Sequence, residues 1–123
     1  MALIPAALLS RWYVKGSLAK SDDECEFRLK NTTAPSIIIS CDKVEVDGQS
    51  HPLEKVFIIK KISARPATSL TPKNPLSLDI NEEVRIVLKD LPLSPGFHKI
   101  LIQLRTKEVG PLKIPVEDTL WAE

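Results

Sequence analysis

The segment from 83 to 106 constrains the fold most, because it holds two alternating stretches on either side of a turn-rich connector. Every second residue of each stretch is apolar: Val84, Ile86 and Leu88, then Ile100, Ile102 and Leu104. A period of two is typical of strands that bury one face. The connector, 91–96, holds two prolines and a glycine, a composition typical of tight corners. The segment therefore predicts two paired antiparallel strands joined by a corner.

The same alternation recurs along the chain. It places Trp12, Val14 and Leu18 on one face of a first strand, Cys25, Phe27 and Leu29 on one face of a second, and Leu112, Ile114 and Val116 on one face of a last. Asp47-Gly48 is a dipeptide typical of hairpin turns. No window of ten or more residues carries an apolar stripe at helical spacing. We predict an all-β fold: an antiparallel two-sheet β-sandwich, immunoglobulin-like or related, with seven to nine strands.

A chain of 123 residues is long enough for one domain with its own core. We expect a single domain over 1–123, with an apolar N-terminal arm at 1–10 and a long irregular loop at 63–80, where the strand pattern weakens around three prolines. This loop is expected to carry at most a short extended piece at Leu76-Ser-Leu78. Pro115 cannot donate a hydrogen bond to a neighbouring strand, so it predicts that the last strand lies at a sheet edge.

Charge argues against two classes of partner. Seventeen basic and sixteen acidic side chains nearly balance, which removes the electrostatic basis for binding nucleic acid or an anionic membrane. The apolar N-terminal run is short, is interrupted by Pro5 and lacks a basic segment before it, so it does not resemble a signal peptide or a membrane span. We expect a cytoplasmic protein.

The only two cysteines are Cys25 and Cys41. Cys25 shares the alternation of a predicted strand and is interpreted first as a small buried apolar residue, with a Cys25–Cys41 disulfide as the alternative.

Residues with catalytic potential are few. His51 and His98 have no acidic or second histidine neighbour at the spacing of a metal site, so we expect both at the surface or rim. No serine stands in a nucleophile motif, and the adjacent carboxylates fall at turns or strand ends. Phe27 and Phe57 lie in core-like positions, which leaves few aromatics for stacking on bases. We predict no enzyme activity, no metal and no cofactor.

Large apolar residues at turns and termini indicate a protein interface. The N-terminal apolar residues either cover the protein's own core or meet another chain, and Trp121 either packs down as a C-terminal latch or stays exposed. We predict a non-catalytic interaction module, an accessory subunit of a larger enzyme or a self-associating protein, with contacts from Leu3, Ile4, Leu8, Leu9, Leu91, Leu93 and Trp121. The alternative is a module that binds a carbohydrate or another small ligand through Trp12 and Tyr13.

Three segments carry a resemblance to a known family: Trp12-Tyr-Val-Lys-Gly-Ser-Leu18, Val44-Glu-Val-Asp-Gly48 followed by His51-Pro52, and Leu93-Ser-Pro-Gly-Phe-His98. Together they resemble the small β-sandwich subunit of the bacterial C-glycoside deglycosidases. The resemblance implies a non-catalytic subunit that docks beside a larger barrel subunit holding the metal and the acid–base residues. The sequence departs from that family at Lys30-Asn-Thr-Thr-Ala-Pro35, where the family has an Arg/Pro/aromatic run. The resemblance assigns no catalytic residue to this chain.

Overall fold

A computed structural model describes residues 9–121 and places ten antiparallel strands there, in two sheets. Sheet I has the strand order β1-β2-β8-β5-β6, and sheet II has the order β10-β9-β3-β4, with β7 paired to the other end of β3. In chain order the strands are β1 Ala19–Ser21, β2 Glu24–Lys30, β3 Ser36–Val46, β4 Gln49–Ser50, β5 Val56–Lys60, β6 Ser63–Pro66, β7 Leu76–Leu78, β8 Glu83–Leu88, β9 Gly96–Thr106 and β10 Gly110–Leu120. The predicted all-β sandwich is confirmed, with one strand more than the upper number expected.

The core lies between the sheets and follows the alternation of the sequence. In β2 the side chains of Cys25, Phe27 and Leu29 are buried, and the residues between them face outward. β8, β9 and β10 bury every second residue in the same way. Because sheet side chains point alternately to opposite faces, this pattern gives each of these strands one inner face.

The hairpin turn predicted at Asp47-Gly48 is confirmed, and a tight turn also joins β1 to β2. Ser21 pairs with Glu24 across the first turn, and Val46 pairs with Gln49 across Asp47-Gly48. Asp47 and Gly48 have φ values of 50° and 84°, the conformation for which Asp-Gly is favoured at a two-residue turn. β9 and β10 form a long hairpin, and β10 lies at the edge of sheet II, as Pro115 predicted.

The predicted pairing of the two strands in the segment 83–106, which are β8 and β9, is wrong. β8 lies in sheet I beside β2 and β5, whereas β9 lies in sheet II beside β10 and β3. The residues 89–95 between them form a crossover that joins the two sheets. Period-two alternation shows which face of a strand is buried, but both arrangements bury the same side chains, so the pattern does not distinguish them.

Two further segments differ from expectation. The chain makes a one-turn 3-10 helix at Ser10–Trp12, and Gly16, with φ of 82°, bends the chain before β1, so no continuous strand runs from Trp12 to Leu18. The segment predicted as a long irregular loop, 63–80, holds the short extended piece expected at Leu76–Leu78, which is β7, but it also contains β6 and a 3-10 helix at Ala67–Ser69. The guanidinium of Arg65 orders it by donating hydrogen bonds to the carbonyls of Ser69, Asn74 and Pro75, and Ala67, Leu70, Leu76 and Leu78 join the core.

Candidate functional site

The outer face of sheet I carries an apolar surface. In β5 the side chains of Val56 and Ile58 point into the core, so Phe57 and Ile59 point outward, where both are half-buried. The strand register places Val87 of β8 beside Phe57, and Pro66 and Ala64 of β6 beside Phe57 and Ile59. Phe57, Ile59, Ala64 and Val87, with Arg85 and Lys89, line a groove of about 330 Å³, called here the outer groove.

Charged side chains border the outer groove on one side. The Lys89 ammonium lies 4.5 Å from the centroid of the Phe57 ring, a cation–π contact. Arg85 Nη1 lies 3.1 Å from Glu26 Oε2, and Glu24 completes the border. The four charges cancel, so the groove presents an apolar floor and a border able to pair with charges of either sign. Such a mixture is typical of protein interfaces, in which aromatic residues and arginine are enriched.

Phe57 was expected in the core, and this expectation is wrong. Its strand, Val-Phe-Ile-Ile, is apolar at four successive positions, and such a run places apolar side chains on both faces of a sheet. Val87 gives the second signal, because it interrupts the alternation of β8 with an apolar residue at an outward position. The sequence thus held the information for the outer groove, but it was interpreted as core.

A second exposed apolar surface lies at the open end of the β9–β10 hairpin, away from the turn that joins the two strands. Phe97 is 57% exposed and Trp121 is 81% exposed, and the pairing of Gly96 with Leu120 brings the two segments together. Trp121 also lines a shallow groove with Pro95 and Lys20. The alternative in which Trp121 packs down as a latch is therefore wrong.

The other predicted interface residues are placed differently. Leu9 and Leu93 are buried in the core, and Leu91 is partly buried against it, because the crossover folds its leucines over the end of the sandwich. The interface prediction is corrected for Leu9 and Leu93, which have almost no surface to offer a partner. Leu3, Ile4 and Leu8 lie outside the described residues.

Trp12 and Tyr13 were the alternative ligand-binding residues, and the structure buries both. Trp12 is fully enclosed, and the Tyr13 hydroxyl donates a short hydrogen bond to Asp118 Oδ2. Asp118 also accepts hydrogen bonds from the backbone N–H groups of Gly16 and Thr119, at 3.0 and 2.7 Å. These residues join the N-terminal segment to β10 and do not form a platform for a ligand.

His98 was expected at the surface or rim, and this prediction is also wrong. Its ring is buried between the crossover and the β3–β4 turn, with Nδ1 at 2.7 Å from Asp47 Oδ2 and Nε2 at 2.7 Å from the carbonyl oxygen of Ser94. The Ser94 carbonyl and, less strongly, Asp47 raise the pKa of His98, although partial burial acts in the opposite direction. His51 is half-buried and bonds through Nε2 to the carbonyl oxygen of Lys89 at 2.9 Å.

The remaining reactive groups are inaccessible or dispersed. Cys25 and Cys41 are both free and buried, and burial raises the pKa of each thiol to about 12. The prediction of a buried Cys25 is confirmed, and the disulfide alternative is wrong. Within residues 9–121, no three His, Cys, Asp or Glu side chains are grouped so as to hold a metal ion, and no helix is long and apolar enough to cross a membrane.

Sequence comparison assigns the family. The profile of the family described as "Hydroxymethylglutaryl-CoA reductase, N-terminal domain" matches residues 8–121, nearly the whole chain. The chain belongs to this family. Members of the reductase N-terminal domain family are defined by sequence, and the match covers both sheets, the crossover and the outer groove. No curated protein shows significant sequence similarity to the chain.

Two solved structures show a distant likeness. The cupredoxin domain of amoB from Nitrosocaldus yellowstonii is 17% identical, with a TM-score of 0.33, over 81% of this chain and 56% of that one. A family 123 glycoside hydrolase from Clostridium perfringens is 12% identical, with a TM-score of 0.35, over 79% of this chain. This chain spans only 20% of the hydrolase, and both scores are too low to support a functional comparison.

Proposed function

We propose that this chain is a non-catalytic β-sandwich module that binds another protein surface through the outer groove, as an accessory domain or subunit of a larger enzyme. The observation that carries the proposal is the outward apolar row of Phe57, Ile59 and Val87. An outer sheet face that meets only water normally alternates to polar residues, whereas a face that packs against another element stays apolar.

The family is described as the N-terminal domain of hydroxymethylglutaryl-CoA reductase, so we propose the catalytic domain of such a reductase as the partner to test first. The resemblance to the small subunit of C-glycoside deglycosidases remains a prediction of the same kind of role beside a different enzyme. Self-association is the other arrangement expected from the sequence, and we propose that it would use the same groove. Two free, buried thiols fit a reducing compartment, and we propose that the module acts in the cytoplasm.

The absence of a catalytic role is part of the proposal. In the described part of the chain, the two histidines are hydrogen-bonded to a backbone carbonyl and a carboxylate. Both thiols are buried and have a raised pKa, so neither type of residue is free to act on a substrate. The alternative of a ligand-binding module is not supported by the two residues predicted for it, since Trp12 and Tyr13 lie inside the protein.

The test compares two charge substitutions on opposite outer faces. Phe57→Glu places a carboxylate in the outer groove, and Leu101→Glu places one on the outer face of sheet II, where Leu101 is also half-buried. Binding to the reductase catalytic domain of the same organism is measured by calorimetry, and self-association by light scattering after size exclusion. Circular dichroism establishes that both variants fold.

We expect Phe57→Glu to weaken binding roughly thirtyfold or more, the effect of losing an interface hot spot of about 2 kcal/mol. Leu101→Glu should bind as the natural protein does. A natural chain that is monomeric and binds no reductase domain would contradict the proposal, as would equal binding by both variants. A homodimer that only Phe57→Glu dissociates would keep the groove as the interface and identify a second copy as the partner.

A further inference from the structure

Both histidines of the chain contact the crossover that joins the two sheets. His51 reaches its start, with Nε2 at 2.9 Å from the carbonyl oxygen of Lys89, and His98 reaches its end, with Nε2 at 2.7 Å from the carbonyl oxygen of Ser94. Both carbonyls can only accept a hydrogen bond, so each contact requires a proton on Nε2. One N–H is enough for His51 to make its contact.

His98 needs a proton on both ring nitrogens to make its contacts, because its second ring nitrogen also faces a hydrogen-bond acceptor. Nδ1 lies 2.7 Å from Asp47 Oδ2, while Asp47 Oδ1 accepts the backbone N–H of Lys99 at 2.9 Å. A neutral imidazole carries one N–H and can satisfy either Asp47 or Ser94, but not both. Only the imidazolium donates to both, so the observed geometry is that of the charged ring.

We propose that His98 is a proton-dependent tie, which holds the end of the crossover against β9 when its ring is charged and releases it when the ring loses a proton. The carboxylate of Asp47 is a stronger acceptor than a backbone carbonyl, so the one remaining proton stays on Nδ1. Nε2 then presents a lone pair to the Ser94 carbonyl oxygen, and that contact is lost. The release concerns the crossover, not the β3–β4 turn.

The charges around His98 support this assignment. Asp47 belongs to the β3–β4 turn, and Asp118, on β10, is the register partner of His98. Hydrogen bonds from Lys99 and His98 lower the pKa of Asp47. Burial would raise the pKa of Asp118, but the hydrogen bonds from Tyr13 and the backbone lower it on balance. Both carboxyls therefore stay charged at neutral pH.

The other charged residues of β9 and the crossover either point away from the His98 ring or pair with other groups. On β9 itself, Lys99 is exposed on the opposite face from His98. In the crossover, Lys89 lies over the Phe57 ring, and Asp90 pairs with Lys55 at 3.0 Å. Asp47 is the one ionisable side chain in the described part of the chain with a hydrogen bond to the ring.

The direction of the pH effect follows from the raised pKa of His98. A group whose pKa is higher in the folded state contributes its full stabilisation below its unfolded pKa, about 6.5 for histidine, and loses it as the pH rises through the folded value. We therefore expect the crossover to be held at pH 6 and released above the folded pKa of His98.

Two measurements test the tie. Proton NMR follows the titration of both imidazole rings, and hydrogen exchange, corrected for its intrinsic pH dependence, follows the Leu91 and Leu93 amides. These amides are protected by the carbonyls of Asp23 and Leu91, at 2.7 and 3.0 Å. We expect the pKa of His98 to lie above 6.5, and the opening of both amides to increase about tenfold for each unit by which that pKa is raised.

Asp47→Asn is the informative variant. Asparagine tolerates the positive φ of 50° at this position, and its amide N–H donates to Nδ1 of a neutral ring, so the single proton moves to Nε2 and keeps the Ser94 contact. We expect the variant to fold, to lower the pKa of His98 relative to the natural protein, and to remove the pH dependence of exchange. His51→Gln is the control and should leave that dependence in place.

The outcomes are distinct. The proposal is overturned if His98 titrates at an ordinary pKa, or if Asp47→Asn leaves that pKa unchanged. It is overturned as well if hydrogen exchange at Leu91 and Leu93 varies with pH no more in the natural protein than in Asp47→Asn. The proposal is also overturned if His51→Gln removes the pH dependence of hydrogen exchange at Leu91 and Leu93 and Asp47→Asn does not.

Discussion

The outer faces of the two sheets differ in chemistry although the strands have similar inner faces. Sheet II presents Lys99, Gln103 and Arg105 on β9 and Lys113 and Glu117 on β10, and its apolar outward residues, Phe97, Leu101, Pro111 and Pro115, alternate with these polar ones. Sheet I presents Phe57, Ile59 and Val87 at its centre. The core therefore does not explain the apolar residues of sheet I. A face of this kind is retained where it contacts something other than water.

The ion pairs of the two faces are similarly exposed and differ in what surrounds them. On sheet II, Lys43 pairs with Glu45 at 2.6 Å, and Arg105 with Asp42 at 3.3 Å. On sheet I, the ion pair of Arg85 and Glu26 stands at the border of an apolar floor. Surface ion pairs stabilise a fold by little, but at the border of a buried contact they select the partner.

The largest expected effect comes from comparing two adjacent isoleucines of β5. Ile58 is buried in the core, and Ile59 faces the outer groove. Ile58→Ala should lower the free energy of unfolding by about 2–5 kcal/mol, because it leaves a cavity. Ile59→Ala should lower the free energy of unfolding by about 1 kcal/mol or less, since the half-buried Ile59 side chain buries less apolar area than Ile58 does. Urea denaturation measures both, and equal losses would show that the two faces of β5 are equally packed in the isolated chain.

An intermediate effect is expected at the edge of sheet II, where Tyr13 bonds to Asp118. Tyr13→Phe should lower the free energy of unfolding by about 1–3 kcal/mol at neutral pH, because a hydrogen bond to a charged group is lost. The pKa of Asp118 is lowered in the folded state, so the difference between variant and natural protein should shrink as the pH falls through that pKa. A difference that is constant from pH 7 to pH 3 would contradict this assignment.

The smallest effect is expected at the border of the outer groove. Lys89→Met removes the ammonium above the Phe57 ring and should cost about 0.5–1 kcal/mol of stability. Lys99→Met is the matched control on sheet II, where the lysine is exposed and makes no cation–π contact among the described residues. It should change stability by no more than about 0.5 kcal/mol. Thermal unfolding of the three proteins compares them, and a larger loss for Lys99→Met would reverse the contrast between the faces.

Sequence alone predicted the parts of the fold that depend on neighbours along the chain. The alternation in β2 and β10 identified the buried residues, Asp47-Gly48 identified a hairpin turn, and Pro115 identified an edge strand. It did not predict that β8 and β9 belong to different sheets, because the connector at 91–96 fits a hairpin and a crossover equally well. Arg65, which orders the segment at 63–80 through three carbonyls, carries no signal in the local pattern.

The site was harder to predict for a related reason. The contact of His98 with Asp47 joins residues 51 positions apart, so inspection of nearby residues placed His98 at the surface. Phe57 was assigned to the core because it is large and apolar, although its position between Val56 and Ile58 places it on the opposite face. Trp12 and Tyr13 were chosen for their chemistry alone, and the packing of β10 against the N-terminal segment buries them.

The two prolines of β10 determine how this molecule can meet its neighbours. Pro111 and Pro115 both pair with β9, at Arg105 and Leu101, so the N–H groups that they lack belong to the free edge of the strand. Lys113 and Glu117, the outward residues beside them, bring charge to the same edge. A second chain cannot extend sheet II there by a continuous ladder of hydrogen bonds, which protects a long exposed strand from fibre-like stacking. If the proposed function holds, the partner is therefore expected on a broad outer face of the sandwich and not along this strand edge.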